Sequence, residues 1–280
     1  MQKLLLVDGS NLLFQMFFGM PARIVNAQDK AIQGTMGFVG ALLKILRRVQ
    51  PTHAVVLFDG EHENGRKDVD PAYKANRLDF GEVPEEENPY TQLQDVCAAL
   101  DHLGIARAET VDCETDDWIA AYVRRYRREC EIVISSFDSD FFQLIDERVS
   151  VLRYRGEKTV ICTPEYIQEK FGIAPEQYAG MKALTGDKAD NIGGVAGIGV
   201  KTAAALIHEY GDVQTLLENA QRIKRKSVRE AVAANAERIF MNYRLIRLEG
   251  NVPLPFELDA LEYTDTGEKT GDVLRAIGLK

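Results

Sequence analysis

The 280-residue chain is 45% hydrophobic and 28% charged, ordinary for a soluble globular protein and long enough for one large core, or a large one and a small one. Its four cysteines form no C-x-x-C pair and no run reaches the roughly 18 apolar residues of a membrane span, which argues against a zinc ribbon, a disulfide framework and a membrane protein. The net charge of −9 argues against a polyanionic partner, but the charge is segregated: carboxylates crowd the stretch Glu82 to Glu87, and bases gather at 124–128 and 222–229.

In chain order, Lys3 to Val7 is a short apolar run that stops on Asp8-Gly9-Ser10. Short runs of Val, Ile and Leu read as strands buried on both faces, as in a parallel sheet. No basic leader precedes this strand, so a cytoplasmic protein with reduced thiols is expected. The apolar stretch Asn11 to Phe18 ends before Pro21. Met36 to Val49 has helical periodicity, with Phe38, Leu42, Ile45 and Leu46 on one face and Lys44, Arg47 and Arg48 on the other. Ala54 to Phe58 is a second strand, also ending on a carboxylate, Asp59. Strand, helix, strand implies an α/β fold.

Gly60 to Pro89 breaks the pattern, with polar composition and Gly65, Pro71 and Pro84. A connection of this length is functional or disordered. Within it, Lys74 and Arg77 of Tyr73-Lys74-Ala75-Asn76-Arg77 lie three apart, on one face if the piece is helical. Two readings stay open: a solvated loop with ordinary surface charges, or a mobile cover bringing cations to a phosphate.

Tyr90 to Leu103 reads as a helix and Ala106 to Val111 as a strand. Glu114, Asp116 and Asp117 then open a helix running to about Glu129. The helix dipole favours acids in a first turn, but capping needs one carboxylate and three are present. Glu114, Asp117, Trp118 and Ala121 share a face, with Asp116 turned off it. The strand to Ser136 leads to Asp138 and Asp140, and Phe141, Phe142 and Leu144 enter a next helix. Val149 to Tyr154 and Thr159 to Cys162 close the sheet. Thr163-Pro164 is a helix start, and the remainder is almost entirely helical. The expected organisation is a core at 1–163, a helical region at 164–250 with a Gly-rich hairpin at 186–203, and an extension at 251–280.

That hairpin, Gly186 to Ala203, feeds a helix from Val200 to about Tyr210. Its spacing is neither G-x-G-x-x-G nor a P-loop. Helix, Gly hairpin, helix remains, a means of holding a nucleic-acid backbone without reading bases. Strand-end ligand sites in open α/β sheets bring Asp8, Asp59, Asp138 and Asp140 toward one acidic pocket.

Six ordered motifs resemble the bacterial and phage 5′ nucleases, the flap endonuclease/5′–3′ exonuclease family, over Leu4 to roughly Ile246. They are Val7-Asp8-Gly9-Ser10, Phe58-Asp59, Tyr73 to Arg77, Glu114-x-Asp116-Asp117, Asp138-x-Asp140 with Gln143-Leu144, and Gly186-Asp187-x-x-Asp190-Asn191-Ile192 leading into Gly197-Ile198-Gly199-x-Lys201-Thr202-Ala203. The resemblance implies a mostly parallel sheet with a helix–three-turn–helix region. It places Asp8, Asp59, Glu114 and Asp116 around one metal and Asp138, Asp140, Asp187 and Asp190 around a second, with Asp116 and Asp117 between them or in the outer shell. Hard oxygen ligands suit two Mg²⁺ or Mn²⁺ ions acting on a phosphodiester.

Further implications are a helical arch at about 60–90 in which Lys74 and Arg77 meet the scissile phosphate and Tyr73 contacts DNA. Gly194, Gly197, Gly199, Lys201 and Thr202 would grip duplex at the hairpin, which in some relatives binds K⁺. The implied substrate is a 5′ flap, branched or nicked duplex, or an RNA–DNA primer, acted on by a monomer. The sequence departs from the family at Gln15, usually arginine, at Gly193 and Ala196, usually proline, and at Phe137, usually glycine. No polymerase region follows, so a stand-alone nuclease is expected. A PIN-type ribonuclease and a non-catalytic DNA-structure binder are the alternatives.

Overall fold

The computed structural model describes residues 2–280 except 21, 61–64, 78, 79, 81 and 82. Glu82 and those parts of the expected cover therefore lie outside the described residues. Six strands form the main sheet: β1 Lys3–Asp8, β2 His53–Phe58, β3 Ala106–Glu109, β4 Glu131–Ser135, β5 Val149–Arg153 and β6 Val160–Cys162. Their order is β3-β2-β1-β4-β5-β6, parallel except for β6. The chain builds outward from β1 to β3, then returns to lay β4 on the other side of β1. The connections leave in opposite directions there, so a crevice opens between the carboxyl ends of β1 and β4, where such sheets bind ligands.

β1 divides its side chains between two cores, as a strand of period two must. Leu4 and Leu6 join the cluster under α5 (Thr115–Tyr126), while Leu5 and Val7 pack with the other face's helices. On that face lie α1 (Gly9–Gly19), α2 (Gln33–Val49) and α4 (Leu93–His102); among its described residues the cover carries a short α3 (Gly65–Val69) and a 3₁₀ turn at Glu85–Glu87. A Cβ at Gly9 would stand 2.6 Å from the Phe58 ring, so the residue after Asp8 must be glycine for α1 to start against β2.

Helices dominate from Pro164 onward: α6 Pro164–Phe171, α7 Tyr178–Thr185, α8 Val200–Tyr210, α9 Val213–Glu218, α10 Lys226–Ala234 and α11 Ala236–Ile246. The expected strand to Val111 stops at Glu109, and the helix expected to reach Glu129 ends at Tyr126. Asp140–Leu144 is a 3₁₀ segment rather than the entry to a further α-helix.

After Ile246 the chain returns as a strap along the core. The hydroxyl of Tyr122 donates to the carbonyl of Phe256 at 3.0 Å, and that of Tyr126 donates to Glu257 at 2.6 Å. The backbone of Tyr263 donates to that of Thr52 beside β2, and α12 (Thr270–Ala276) packs on α2 and α4. No helix among the described residues is long and apolar enough to cross a membrane.

Candidate active site

Asp8 ends β1 and caps α1. Its Oδ1 accepts from the Asn11 amide at 3.0 Å, and Oδ2 accepts from the Ser136 hydroxyl at 2.8 Å. The cap is real, but it does not exhaust the carboxylate: Asp8 also lines a cavity of 410 Å³ with Asp59, Glu114, Asp116 and Asp138. Asp59, just past β2, is held at the start of α5, where it accepts from the Thr115 amide at 3.0 Å.

The three acids opening α5 divide their work. Asp117 accepts from the Glu114 amide at 3.1 Å and from Arg66 at 2.7 Å, and it does not line the cavity. Glu114 receives Arg66, the Tyr73 hydroxyl at 3.1 Å and Lys74 at 2.6 Å. Asp116, read from sequence as turned off the acidic face, faces the cavity.

A second group stands on the far side of Asp138, whose Oδ1 accepts from the Asp140 amide at 2.8 Å. Asp140, Asp187 and Asp190 each bring a carboxylate oxygen within 4.8 Å of the others. Asp138 therefore belongs to both groups: it lines the first cavity, and its charge is felt with those of Asp187 and Asp190. Sequence reasoning missed Lys182. This buried lysine of α7 lies between Asp140 and Asp187 and pairs with both. Its only sequence signal was a cation among the apolar residues of a helix, five residues before Asp187.

The electrostatics follow from burial and crowding. Burial, with Asp59 and Asp138 adding to it, pushes the Asp8 carboxyl up to about 7. Burial and Asp138 push Asp140 up to about 7 against the pull of Lys182. Asp116 and Asp138 are raised too, first by burial. Burial works the same way on Glu114 and Asp187, but Arg66 and Lys74 overcome it at Glu114, and Lys182 does so at Asp187, leaving both below their ordinary values. The donors are all hard oxygens, partly buried and short of counter-charge, which fits divalent cations of the Mg²⁺ or Mn²⁺ kind.

A carboxyl with a raised folded-state pKa lends the fold stability that is fully present below its unfolded value and is lost as pH rises through its folded value. Between about pH 5.5 and 8, Asp8 and Asp140 ionise at about 7, whereas the depressed Glu114 and Asp187 stay ionised whether folded or not. In EDTA the melting temperature should therefore fall by at least about 3 °C across this window, and saturating Mg²⁺ should reverse the trend. A flat or rising EDTA profile would contradict these environments.

The cover and the hairpin interlock. Residues 71–77 form turns rather than a helix, with Lys74 at φ 55 and Asn191, its neighbour across the contact, at φ 58. Left-handed non-glycine residues persist only where surroundings hold them, and here they are held. The Lys74 amide donates to the Asp190 carbonyl at 3.0 Å, the Asn76 side chain to the Lys188 carbonyl at 3.1 Å, and the Asn191 side chain to the Ala72 carbonyl at 2.7 Å. Arg77 pairs with Asp190 at 2.8 Å. Tyr73, expected at a DNA-contacting surface, is instead 3% exposed and packs with Ala179, Ile192, Leu245 and Ile246. It presents no face to a duplex.

The hairpin starts with a two-residue ladder, β7 Gly186–Asp187 against β8 Ile192–Gly193. Ile192, Val195 and Ile198 are buried, while Gly193, Ala196, Gly197, Gly199 and Val200 are exposed. Anchors every third residue leave the backbone between them open to solvent. A Cβ at Gly194 would meet the Thr185 carbonyl oxygen at 2.1 Å, so glycine is required there for close packing. Gly199 caps α8 without a side-chain acceptor, and Lys201 is exposed beside half-buried Thr202. Buried Asn242 pins the hairpin by donating to the Ala183 and Gly193 carbonyls, both at 2.9 Å.

Two sequence models of one family match end to end: the 5′–3′ exonuclease N-terminal resolvase-like domain over residues 3–172 and the 5′–3′ exonuclease C-terminal SAM fold over 173–269. The chain belongs to the 5′–3′ exonuclease family. It has that family's two-part build. The thermostable DNA polymerase I of Thermus filiformis is 37% identical over 261 residues, covering 93% of this chain and 30% of that protein. DNA polymerase I of Rhizobium leguminosarum is 39% identical over 266 residues, covering 92% and 26%. The chain thus spans less than a third of these relatives. Among solved structures, the zinc-bound T5 5′-exonuclease superposes with a TM-score of 0.74 at 24% identity, covering 88% of this chain and 90% of that one. The catalytic core of Rad2 with DNA substrate gives 0.61 at 17%, covering 99% and 86%. These likenesses show the same fold.

Proposed function

We propose that the chain is a divalent-metal-dependent phosphodiesterase that cuts DNA at 5′ ends and 5′ flaps, as a 5′–3′ exonuclease and flap endonuclease serving replication and repair. The observation that supports this most is the place of Asp187 and Asp190. They complete the second carboxylate group and also begin the segment that leads into the exposed hairpin, so gripping a backbone and presenting a phosphate to the acids are functions of one stretch.

In this reading Asp8, Asp59, Glu114 and Asp116 hold one cation, Asp140, Asp187 and Asp190 hold the second, and Asp138 lies between. Bound there, Mg²⁺ or Mn²⁺ supplies charge neutralisation and polarisation at the phosphodiester. The chain's own residues then do the rest. Asp117 and Arg66 fix the first turn of α5, and Gln143 ties the Asp140 segment to α11 through the Ile246 carbonyl at 3.0 Å. Lys74 and Arg77, resting on Glu114 and Asp190, are within reach of a phosphate once those acids have other counter-ions. Exposed backbone at Gly197 and Gly199, with the half-buried Gly194 and with Lys201 and Thr202, holds duplex phosphates; carbonyls of the same turn suit K⁺. An RNA–DNA primer would present the same phosphates to a monomer.

Incubation with a 5′-flap duplex in Mg²⁺ and in EDTA tests this. Short 5′ products that require the metal support it. Cleavage confined to single-stranded RNA would point to a PIN-type ribonuclease, and binding without cleavage to a structure-binding protein. Lys74→Ala should slow single-turnover cleavage by on the order of 10²-fold with duplex affinity within about threefold. Equal losses would argue against a role at the scissile phosphate.

A further inference from the structure

Phe137 stands directly before Asp138, and two guanidinium groups lie over its ring. Arg153 and Arg155 each place Cζ 5.1 Å from the ring centroid. The ring is fixed at both backbone ends: its amide donates to the Asn11 side chain at 3.0 Å, and its carbonyl accepts from Arg153 at 2.8 Å. The two arginines differ in their surroundings. Arg153 is half-buried, with an enclosed Nε and a second ring, Phe142, at 5.7 Å, so it acts as a strut. Arg155 is exposed. Its backbone is held by Thr159 and Lys158, but no carboxylate pairs with its guanidinium among the described residues.

We infer that Arg155, laid on the Phe137 ring, is a positioning residue for the phosphate next to the one that is cut, on the side of α1 opposite the cover. This rests on the nuclease reading above. In a chain of net charge −9, an exposed guanidinium beside the segment that carries Asp138 puts a local cation where a polyanion would otherwise meet carboxylates. Stacking on an aromatic face restricts the arginine without consuming its donors. A strand leaving the pocket on the cover side meets Phe14, Phe80 and Tyr90 with Lys74 and Arg77. Leaving on the other side, it passes Phe137 and meets Arg155. Gln15 looks onto the same ground, since its Nε2 donates to the Tyr154 carbonyl at 2.7 Å; being neutral, it leaves the cation to Arg155.

The test is binding of a 5′-flap duplex in Ca²⁺ over a salt series, with Arg155→Ala, Arg155→Lys, and Arg155→Ala combined with Gln15→Arg. Arg155→Ala should weaken binding about three- to tenfold near 0.1 M salt and lower the salt slope by about 0.7–0.9, the loss of one phosphate contact. Arg155→Lys should keep the slope. Gln15→Arg should restore it, which a merely structural defect would not allow. Thermal melting should stay unchanged. An Arg155→Ala slope equal to wild type, or no recovery with arginine at 15, overturns the inference. If wild type itself neither binds nor cuts the flap, the nuclease reading fails with it, and the two failures are distinguished by the wild-type lane.

Discussion

Asp187→Asn is expected to slow cleavage of a 5′-flap duplex in Mg²⁺ by on the order of 10³-fold, with duplex binding within about threefold of wild type. The asparagine keeps the volume and the carbonyl that accepts from the Ala189 amide at 2.9 Å, so the hairpin entry keeps its shape. What it removes is one anionic donor of the Asp140, Asp187 and Asp190 trio. Losing a charge there forfeits several kcal/mol of stabilisation at the reacting phosphate. Asp140→Asn should behave alike. Asp117→Asn should cost much less, because that side chain serves the helix start and Arg66 rather than the cavity. Single-turnover rates with a labelled flap provide the measurement, and a wild-type rate for Asp187→Asn would refute the second cation group.

Lys182→Met should lower stability in EDTA by roughly 3–5 kcal/mol, because removing one member of a buried ion cluster leaves the others uncompensated. For this chain that corresponds to a melting temperature lower by on the order of 10 °C. Asp140 and Asp187 would face each other with no cation between them. In saturating Mg²⁺ the gap should narrow, since a divalent ion among the same oxygens answers the same repulsion. Equal deficits in the two buffers would mean that Lys182 props the helix irrespective of cation binding.

What was legible in the sequence had short-range causes. Leu4 to Val7 and Ala54 to Phe58 are so uniformly apolar that burial on both faces and parallel pairing follow directly, and carboxylates at the ends of such strands meet at the crevice. Thr163-Pro164 and the Gly-rich run likewise announce themselves. The rest depended on contacts distant in the chain. Lys182 reads as a surface cation until Asp140, 42 residues earlier, folds against it. Tyr73 reads as a recognition aromatic until Leu245 and Ile246 enclose it. Asp116 seemed turned away because helical spacing ranks neighbours on one helix and says nothing of Asp138 opposite. The strap after residue 250 has almost no periodicity, being shaped by the surface it follows, through Tyr122 and Tyr126.

On the proposed nuclease reading, the three hydrogen bonds joining residues 72–76 to residues 188–191 would make admission of a strand and seating of a duplex a single equilibrium. A ligand that pulls the hairpin loop away from that contact loosens the threshold over the acids, and one that lifts the threshold changes how the loop receives a ligand. The influence must be equal in both directions. On that reading, a mutation that cut those three bonds would leave every acid and every hairpin glycine in place, yet should uncouple the order in which the two halves of a branched substrate are accepted.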